Sequence, residues 1–323
     1  MKLFVKSIAL LLCMCLMACA LSGCNLHAAT EEASPETEAL SVYATFYPIY
    51  ALTALIADGV PELQINCLAQ PMDGCLRSYS LSDWDLALLV RSADAVIAGG
   101  RGLETFESTL YALGEDGPAI VSVLYNLELA TVKPANETGE ESHWTDENPH
   151  IYMTIDGAIA IAERIAANLT VLYPEYADLY AENLEKAKNR LESLREEMHS
   201  TTGDLTGRKV IVMNEALVYA AREYGLDVEL CYARESSESL YDRELEDCIE
   251  QLHACDARVI LLEKQAPETL RRALEEAGFR VATLDVLSTR RASEGAEGYF
   301  EAQLENARAL AAAFEETNLE VTE

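Results

Sequence analysis

Midway along this 323-residue chain the apolar side chains Tyr176, Tyr180, Leu184, Ala187, Leu191, Leu194 and Met198 recur at spacings of 4, 4, 3, 4, 3 and 4. That is one continuous stripe down a helix, which Pro174 opens near its first turn. At 1.5 Å per residue, residues 174–199 span roughly 35 Å, enough to run across two bodies of structure. On both sides short β-branched runs alternate with amphipathic helices. Residues 41–46, 63–68, 95–98 and 119–123 read as strands, with helices over 49–58 and 82–91; Ser82 is an N-cap candidate and Leu86, Leu89 and Val90 form the apolar face. Beyond the long helix, 209–213, 228–231, 259–263 and 280–284 read as strands. Residues 216–224, 242–254 and 267–277 read as helices, and a last one runs from about 294 to 315.

Strands alternating with helices predict parallel sheets with helices on both faces. The expected fold class is therefore α/β: two Rossmann-like lobes with mostly parallel sheets, linked by one long rigid helix. The expected boundaries are an N-terminal lobe over 41–173, a linking helix over 174–200 and a C-terminal lobe over 201–323. A rigid linker holds two lobes in a nearly fixed relation, with a cleft between them where ligands prefer to sit.

The first 24 residues do not belong to this pattern. Lys2 and Lys6 precede an apolar run from Ile8 to Ala20, too short to span a bilayer comfortably, which reads as the core of a secretory signal peptide. It ends in Leu21-Ser22-Gly23-Cys24, which resembles the lipobox of bacterial lipoproteins, where the cysteine is acylated and becomes the first residue. An ordinary signal peptide that happens to end in cysteine is the alternative. Residues 25–40 carry Ala, Thr, Glu, Ser and Pro and read as a flexible tether. The expected location is the extracytoplasmic face of the cell membrane, with the bilayer held through acylated Cys24.

Charge narrows the partners. With 24 basic and 55 acidic residues the chain carries a formal charge of −31. Losing Lys2 and Lys6 with the signal makes that 22 − 55 = −33. So negative a surface repels phosphate backbones and argues against nucleic acid as a partner, while it favours cations. The cysteines left after the signal and Cys24 are Cys67, Cys75, Cys231, Cys248 and Cys255, an odd number. At least one thiol is then free or bound to something other than a second cysteine.

Chemistry-bearing residues are few. His150, in Asn148-Pro149-His150-Ile151, is presented on a loop just before a helix that starts near Asp156, as a ligand would be; a hydrogen bond to a loop carbonyl is the alternative. His143 lies on an acidic loop and reads as an accessory cation contact or a solvated side chain. Cys75, beside Arg77 and ahead of the helix at Ser82, is a candidate metal thiolate or the partner of Cys67 in a disulfide. Asn214 and Glu215 follow the strand 209–213, Glu263 ends the strand 259–263 and Asp285 follows the strand 280–284. All four sit on the rim where α/β proteins bind ligands, with helix capping as the competing role. There is no phosphate-cradling glycine loop, nucleophile elbow or HExxH helix; Gly99-Gly100-Arg101-Gly102 is only a fragment of a nucleotide loop.

These features together resemble the zinc- and manganese-binding lipoproteins of bacterial ABC importers, the metal-specific solute-binding proteins. The carriers are Ala44-Thr45-Phe46-Tyr47-Pro48, Ser82-Asp83, Ala93-Asp94-Ala95-Val96-Ile97 with Gly102-Leu103-Glu104, Asn148-Pro149-His150-Ile151, Tyr219 to Leu226 and Leu284-Asp285. The resemblance implies a binding protein, not an enzyme, that captures a divalent metal ion between the lobes and hands it to a membrane permease. It implies four ligands from four loops: Cys75 where the family usually has histidine, His150, Asn214 or Glu215 where it has His or Glu, and Asp285. One thiolate, one imidazole and two carboxylates suit Zn²⁺ better than Mn²⁺. The alternative is a scaffold that binds a non-metal small solute after losing the usual histidines.

Overall fold

The computed structural model describes residues 39–69, 71, 76–132, 134–135, 147–232, 234 and 240–320, the last five of these as backbone only. The expected signal peptide, Cys24 and all but the end of the expected tether lie outside the described residues.

The first lobe comprises β1 (Leu40–Ala44), α1 (Tyr47–Ile56), β2 (Leu63–Cys67), α2 (Asp83–Ser92), β3 (Ala95–Ala98), a short α3 (Glu107–Tyr111) and β4 (Ala119–Ser122). Its strands are all parallel, in the order β2-β1-β3-β4. An antiparallel pair, β5 (Ala130–Thr131) and β6 (Glu147–Asn148), precedes α4 (Ile155–Leu172) and the long α5 (Ala177–Thr202). The second lobe comprises β7 (Lys209–Val212), α6 (Ala216–Glu223), β8 (Asp227–Cys231), α7 (Asp242–His253), β9 (Val259–Glu263), α8 (Glu268–Glu276), β10 (Arg280–Leu284) and α9 (Glu297–Glu320). Its parallel order is β10-β9-β7-β8. Counted from its own first strand, that is the order of the first sheet. Each sheet changes its direction of growth after its first strand, so the carboxyl ends of β1/β3 and β7/β9 are the switch points where ligands sit in such folds.

Sequence pattern and element agree closely because the strands are buried on both faces. Val210, Val212, Val259 and Leu261 belong to one hydrophobic cluster, while their alternate neighbours Ile211, Met213, Ile260 and Leu262 belong to another on the opposite face. The first of these clusters also takes in the whole first sheet and the buried faces of α1, α4, α5 and α9. One continuous apolar core therefore runs from lobe to lobe, and residues Ala39–Glu323 form one compact unit.

α5 is the spine of that core. Its 26 residues extend roughly 39 Å at 1.5 Å each. Tyr180, Leu191, Leu194 and Met198 are buried along it, which at ~1.5–3 kcal/mol per large side chain is roughly 6–12 kcal/mol of gross hydrophobic stabilisation. Asn183 shares this face. Its amide donates to the Ile56 and Asp58 carbonyl oxygens at 3.0 and 2.7 Å, satisfying the end of α1. α9 packs on α5 and also against α1 of the first lobe.

Two local expectations change. Ser82 caps α2 as predicted, its hydroxyl accepting from the Asp85 N–H while the Asp85 carboxylate accepts from the Ser82 N–H. The apolar face is narrower than expected, however: Leu89 is buried but Val90 is 48% exposed. Neighbouring residues sit ~100° apart on a helix, so one shallow contact cannot bury both. The Gly99-Gly100 turn does form an anion-holding nest, but its anion is internal. The N–H groups of Gly99 and Gly100 donate to the Glu104 carboxylate at 2.8 and 2.6 Å, and Thr45 adds its hydroxyl at 2.5 Å. Glu104 is buried, and that burial pushes its pKa up.

Candidate metal centre

The centre is assembled on α6 of the second lobe. β7 ends at Val212, and Asn214 then turns the chain, its side-chain oxygen accepting from the Ala216 N–H at 2.9 Å. This places Glu215, almost wholly buried, at the first position of the α6 turn. Further along α6, the Tyr219 hydroxyl donates to the Asn148 carbonyl oxygen at 3.0 Å and accepts from the Ala130 N–H at 2.8 Å. The Glu223 carboxylate accepts from the Ile155 N–H at 2.9 Å, at the start of α4. One helix thus holds the Asn-Pro-His segment from both ends. Gly157 lets α4 approach that segment: a Cβ there would lie 2.0 Å from the Ile151 carbonyl oxygen.

Asn148 fixes His150. Its amide nitrogen donates to the Glu215 carbonyl oxygen at 2.7 Å, which leaves its oxygen to face the His150 N–H at 3.1 Å and Nδ1 at 2.9 Å. An amide oxygen can only accept, so Nδ1 carries the proton and Nε2 the lone pair. Burial, with help from the Arg77 charge, pushes the His150 pKa down from 6.5 to about 3. The imidazole is therefore neutral at any physiological pH, the form that ligates metals. The ring is 2% exposed.

Glu215 lies on the Nδ1 side, with Oε1 3.5 Å from that nitrogen. The same oxygen accepts from the Arg77 guanidinium at 3.0 Å. Arg77 belongs to the 3₁₀ turn Leu76–Ser78 of the first lobe, so this ion pair joins the two lobes. Cys231, buried at the end of β8, is also close enough to feel Glu215: burial and then that carboxylate push its thiol up to about 12.

The other candidates are placed as follows. Asp285, 3% exposed after β10, accepts from the Leu287 N–H at 2.7 Å and from Arg290 Nε at 2.8 Å. Arg290 in turn meets Glu294 and Glu305 at 2.9 and 3.0 Å. Glu263 is buried in an ion pair with Arg234. Cys75 and His143 lie outside the described residues. Cys67, whose candidate disulfide partner Cys75 is among those undescribed residues, is a free thiol near the Ala69 carbonyl oxygen. The structure thus brings His150 and Glu215 together, and among the described residues no three His, Cys, Asp or Glu side chains form a group that could hold a metal ion. A cavity of about 560 Å³ opens beside the Asn-Pro-His segment, lined by Ile151, Thr154, Tyr219 and Glu223 among others, but His150 and Glu215 do not line it.

Two residues that matter here were not legible as functional. Asn148 stands two before His150, a spacing at which an Asn side chain can bond back to its own loop. Tyr219 stood only at the head of the segment Tyr219 to Leu226 that carries the family resemblance, with no role attached to it.

Residues 42–313 match the model of the family described as zinc-uptake complex component A, periplasmic (ZnuA). The chain belongs to this family. Over 292 residues it is 24% identical to the zinc-binding lipoprotein AdcA of Streptococcus pneumoniae, a match covering 84% of this chain and 55% of that protein. The chain therefore spans about half the length of the AdcA relatives it matches. The manganese-binding lipoprotein MntA of Bacillus subtilis is 23% identical over 266 residues, 80% of each chain. Among solved structures, the solute-binding protein FpvC of Pseudomonas aeruginosa in complex with Mn²⁺ superposes with a TM-score of 0.73 at 22% identity. That match covers 86% of this chain and 99% of FpvC, so it is the ZnuA-family fold that the two share. Among the described residues no helix is long and apolar enough to cross a membrane.

Proposed function

We propose that this ZnuA-family chain is an extracytoplasmic metal receptor, not an enzyme. It captures a divalent transition metal ion, zinc in preference to manganese, in the cleft between its lobes and delivers it to an ABC permease. Acylated Cys24 tethers it to the membrane. One observation carries the reading: a buried histidine kept neutral, in a chain with five histidines in all, its tautomer fixed so that Nε2 presents a lone pair. Burying an imidazole costs stability unless its nitrogens are used, and a second partner holding Nδ1 is the usual arrangement behind a metal-bound Nε2.

The donor chemistry fits zinc. His150, the carboxylates of Glu215 and Asp285, which the structure does not gather with it into one group, and Cys75 as the fourth candidate would together be a nitrogen, oxygen and sulfur set that suits Zn²⁺ and carries one thiolate more than Mn²⁺ prefers. Asn214, whose side-chain oxygen accepts from the Ala216 N–H, and Glu263, paired with Arg234, then serve as supports, and His143 as an outer contact. Isothermal titration of the metal-stripped protein tests this: one zinc per chain, with weaker heat from manganese, is expected. A chain that takes up neither metal would end the proposal.

A further inference from the structure

Two tyrosines of the first lobe direct their hydroxyls at the backbone of the second. On α1, Tyr47 donates to the Gly295 carbonyl oxygen at 2.9 Å and Tyr50 to the Ala292 carbonyl oxygen at 3.0 Å. They stand three residues apart on one helix face, with ring centroids 6.1 Å apart. The accepting carbonyls bracket the 3₁₀ turn Ala292–Glu294, which lies between β10 and α9. Gly295 ends that turn at φ +59°, where glycine alone is unstrained. Gly298, in the first turn of α9, leaves room for the Tyr47 hydroxyl: a Cβ there would lie 2.3 Å from its oxygen. The same turn reaches Asp285. One oxygen of Glu294 accepts from the Arg291 N–H at 2.8 Å and the other from Arg290 at 2.9 Å. Arg290, whose side chain is 11% exposed, donates its Nε–H to Asp285 at 2.8 Å. Glu305 at 3.0 Å and Glu301 at 3.6 Å, both on α9, hold the same guanidinium. Burial pushes the Tyr47 pKa up, and Glu294, Arg290 and Asp285 are all close enough to act on it, so the phenol keeps its proton and remains a donor.

We propose that Tyr47 and Tyr50 form an interlobe clasp and are positioning residues for Asp285. By holding residues 292–295 they keep Glu294 on Arg290, and through Arg290 they fix the Asp285 carboxylate. The clasp is distinct from the apolar spine, because it acts on one short turn through two hydroxyls, and both can be deleted without emptying the core. Its existence does not depend on the cargo. Its effect on metal rests on the divalent-cation reading with Asp285 as a ligand, and adds to that reading two first-lobe residues that govern how firmly a second-lobe carboxylate is held.

The experiment compares the full chain with Y47F, Y50F, Y47F/Y50F, D285N and Y47F/Y50F/D285N, and with G298A, which keeps both tyrosines but crowds the Tyr47 hydroxyl. Hydrogen exchange at Arg290 Nε is followed by NMR in the metal-free proteins. It is expected to quicken by about tenfold in Y47F/Y50F, with backbone exchange along α5 unchanged. Parental exchange at Arg290 Nε in that variant overturns the proposal, whatever the protein binds. Zinc affinity is then measured on the same set by competition with a chromophoric chelator. Y47F/Y50F is expected to bind about fivefold more weakly, and that loss disappears in the D285N background, because the clasp acts through the carboxylate. A merely structural pair of hydroxyls would lower the melting temperature in both backgrounds without this dependence. A loss of zinc affinity that persists undiminished in D285N refutes action through Asp285 and leaves the metal reading standing. A parent that binds no zinc ends the metal reading, and the exchange result still decides the clasp. Should Y47F/Y50F fail to fold, the single variants and G298A give the same two readouts with smaller changes in the same direction, and no change in any of them overturns the proposal.

Discussion

Replacing Asn148 with alanine removes three buried hydrogen bonds at once: to the Glu215 carbonyl oxygen (2.7 Å), to the His150 N–H (3.1 Å) and to His150 Nδ1 (2.9 Å). Each abandoned buried group costs ~1–3 kcal/mol. A water entering the space of the amide repairs part of that, so a loss of roughly 3–6 kcal/mol is expected in urea unfolding of the metal-free protein. The second consequence is chemical. Without Asn148, Nδ1 keeps only the more distant Glu215 oxygen at 3.5 Å, so the imidazole is held less firmly in orientation and tautomer, and metal affinity falls by about 10–100-fold, the usual effect of deleting such a support. Asn148→Asp separates the two effects. It keeps an acceptor for Nδ1 but has no hydrogen for the Glu215 carbonyl, so its stability falls while more of its zinc affinity survives. Zinc affinity by chelator competition and stability by urea titration are measured on all three proteins. An Asn148→Ala protein that is destabilised yet binds zinc at parental affinity would refute the tautomer reasoning.

Other consequences follow from the packing and from His150 itself. Leu191, fully buried on α5 where the two lobes share one core, loses ~2–5 kcal/mol of stability when truncated to alanine, with a single unfolding transition retained in calorimetry. Gly157→Ala places a methyl group 2.0 Å from the Ile151 carbonyl oxygen and should lower both melting temperature and zinc affinity; an unchanged affinity would mean that the α4 contact does not position His150. Acid destabilises the metal-free protein through His150. Its folded pKa of about 3 lies below the ordinary 6.5, so between those values the unfolded chain binds a proton that the native chain refuses. Stability then falls as pH drops through that window, by at most ~1.4 kcal/mol per pH unit from this group. His150→Gln should show a shallower decline over the same window in parallel denaturant titrations, and an identical slope would contradict it.

Much of the fold was written in local pattern. The strands β3, β9 and β10 fall on their expected residues because continuous apolar runs between turn residues admit little else, and α5 was legible because its stripe is longer than any single-lobe helix needs. What escaped was too short or too indirect to leave a period: α3, with five residues, and the two-residue strands β5 and β6. The candidate centre divides in the same way. His150 could be found because proline places it on a loop in a chain with few histidines, and Glu215 because it follows a parallel strand. Neither the hold of Arg77 on Glu215 nor that of Arg290 on Asp285 could be read, since ion pairs across 138 and 5 positions leave no spacing rule. Asn148 was quoted as part of a motif, but its role appears only when its amide is seen between two backbones.

The most direct measurement is zinc K-edge X-ray absorption on the one-to-one complex of the purified protein, alongside its His150→Ala variant. A first shell containing an imidazole nitrogen at about 2.0–2.1 Å is expected in the parent, and loss of that scatterer, with much weaker zinc retention, in the variant. A parent spectrum explained by oxygen alone, or spectra identical in the two proteins, would contradict the placement of His150 at the metal.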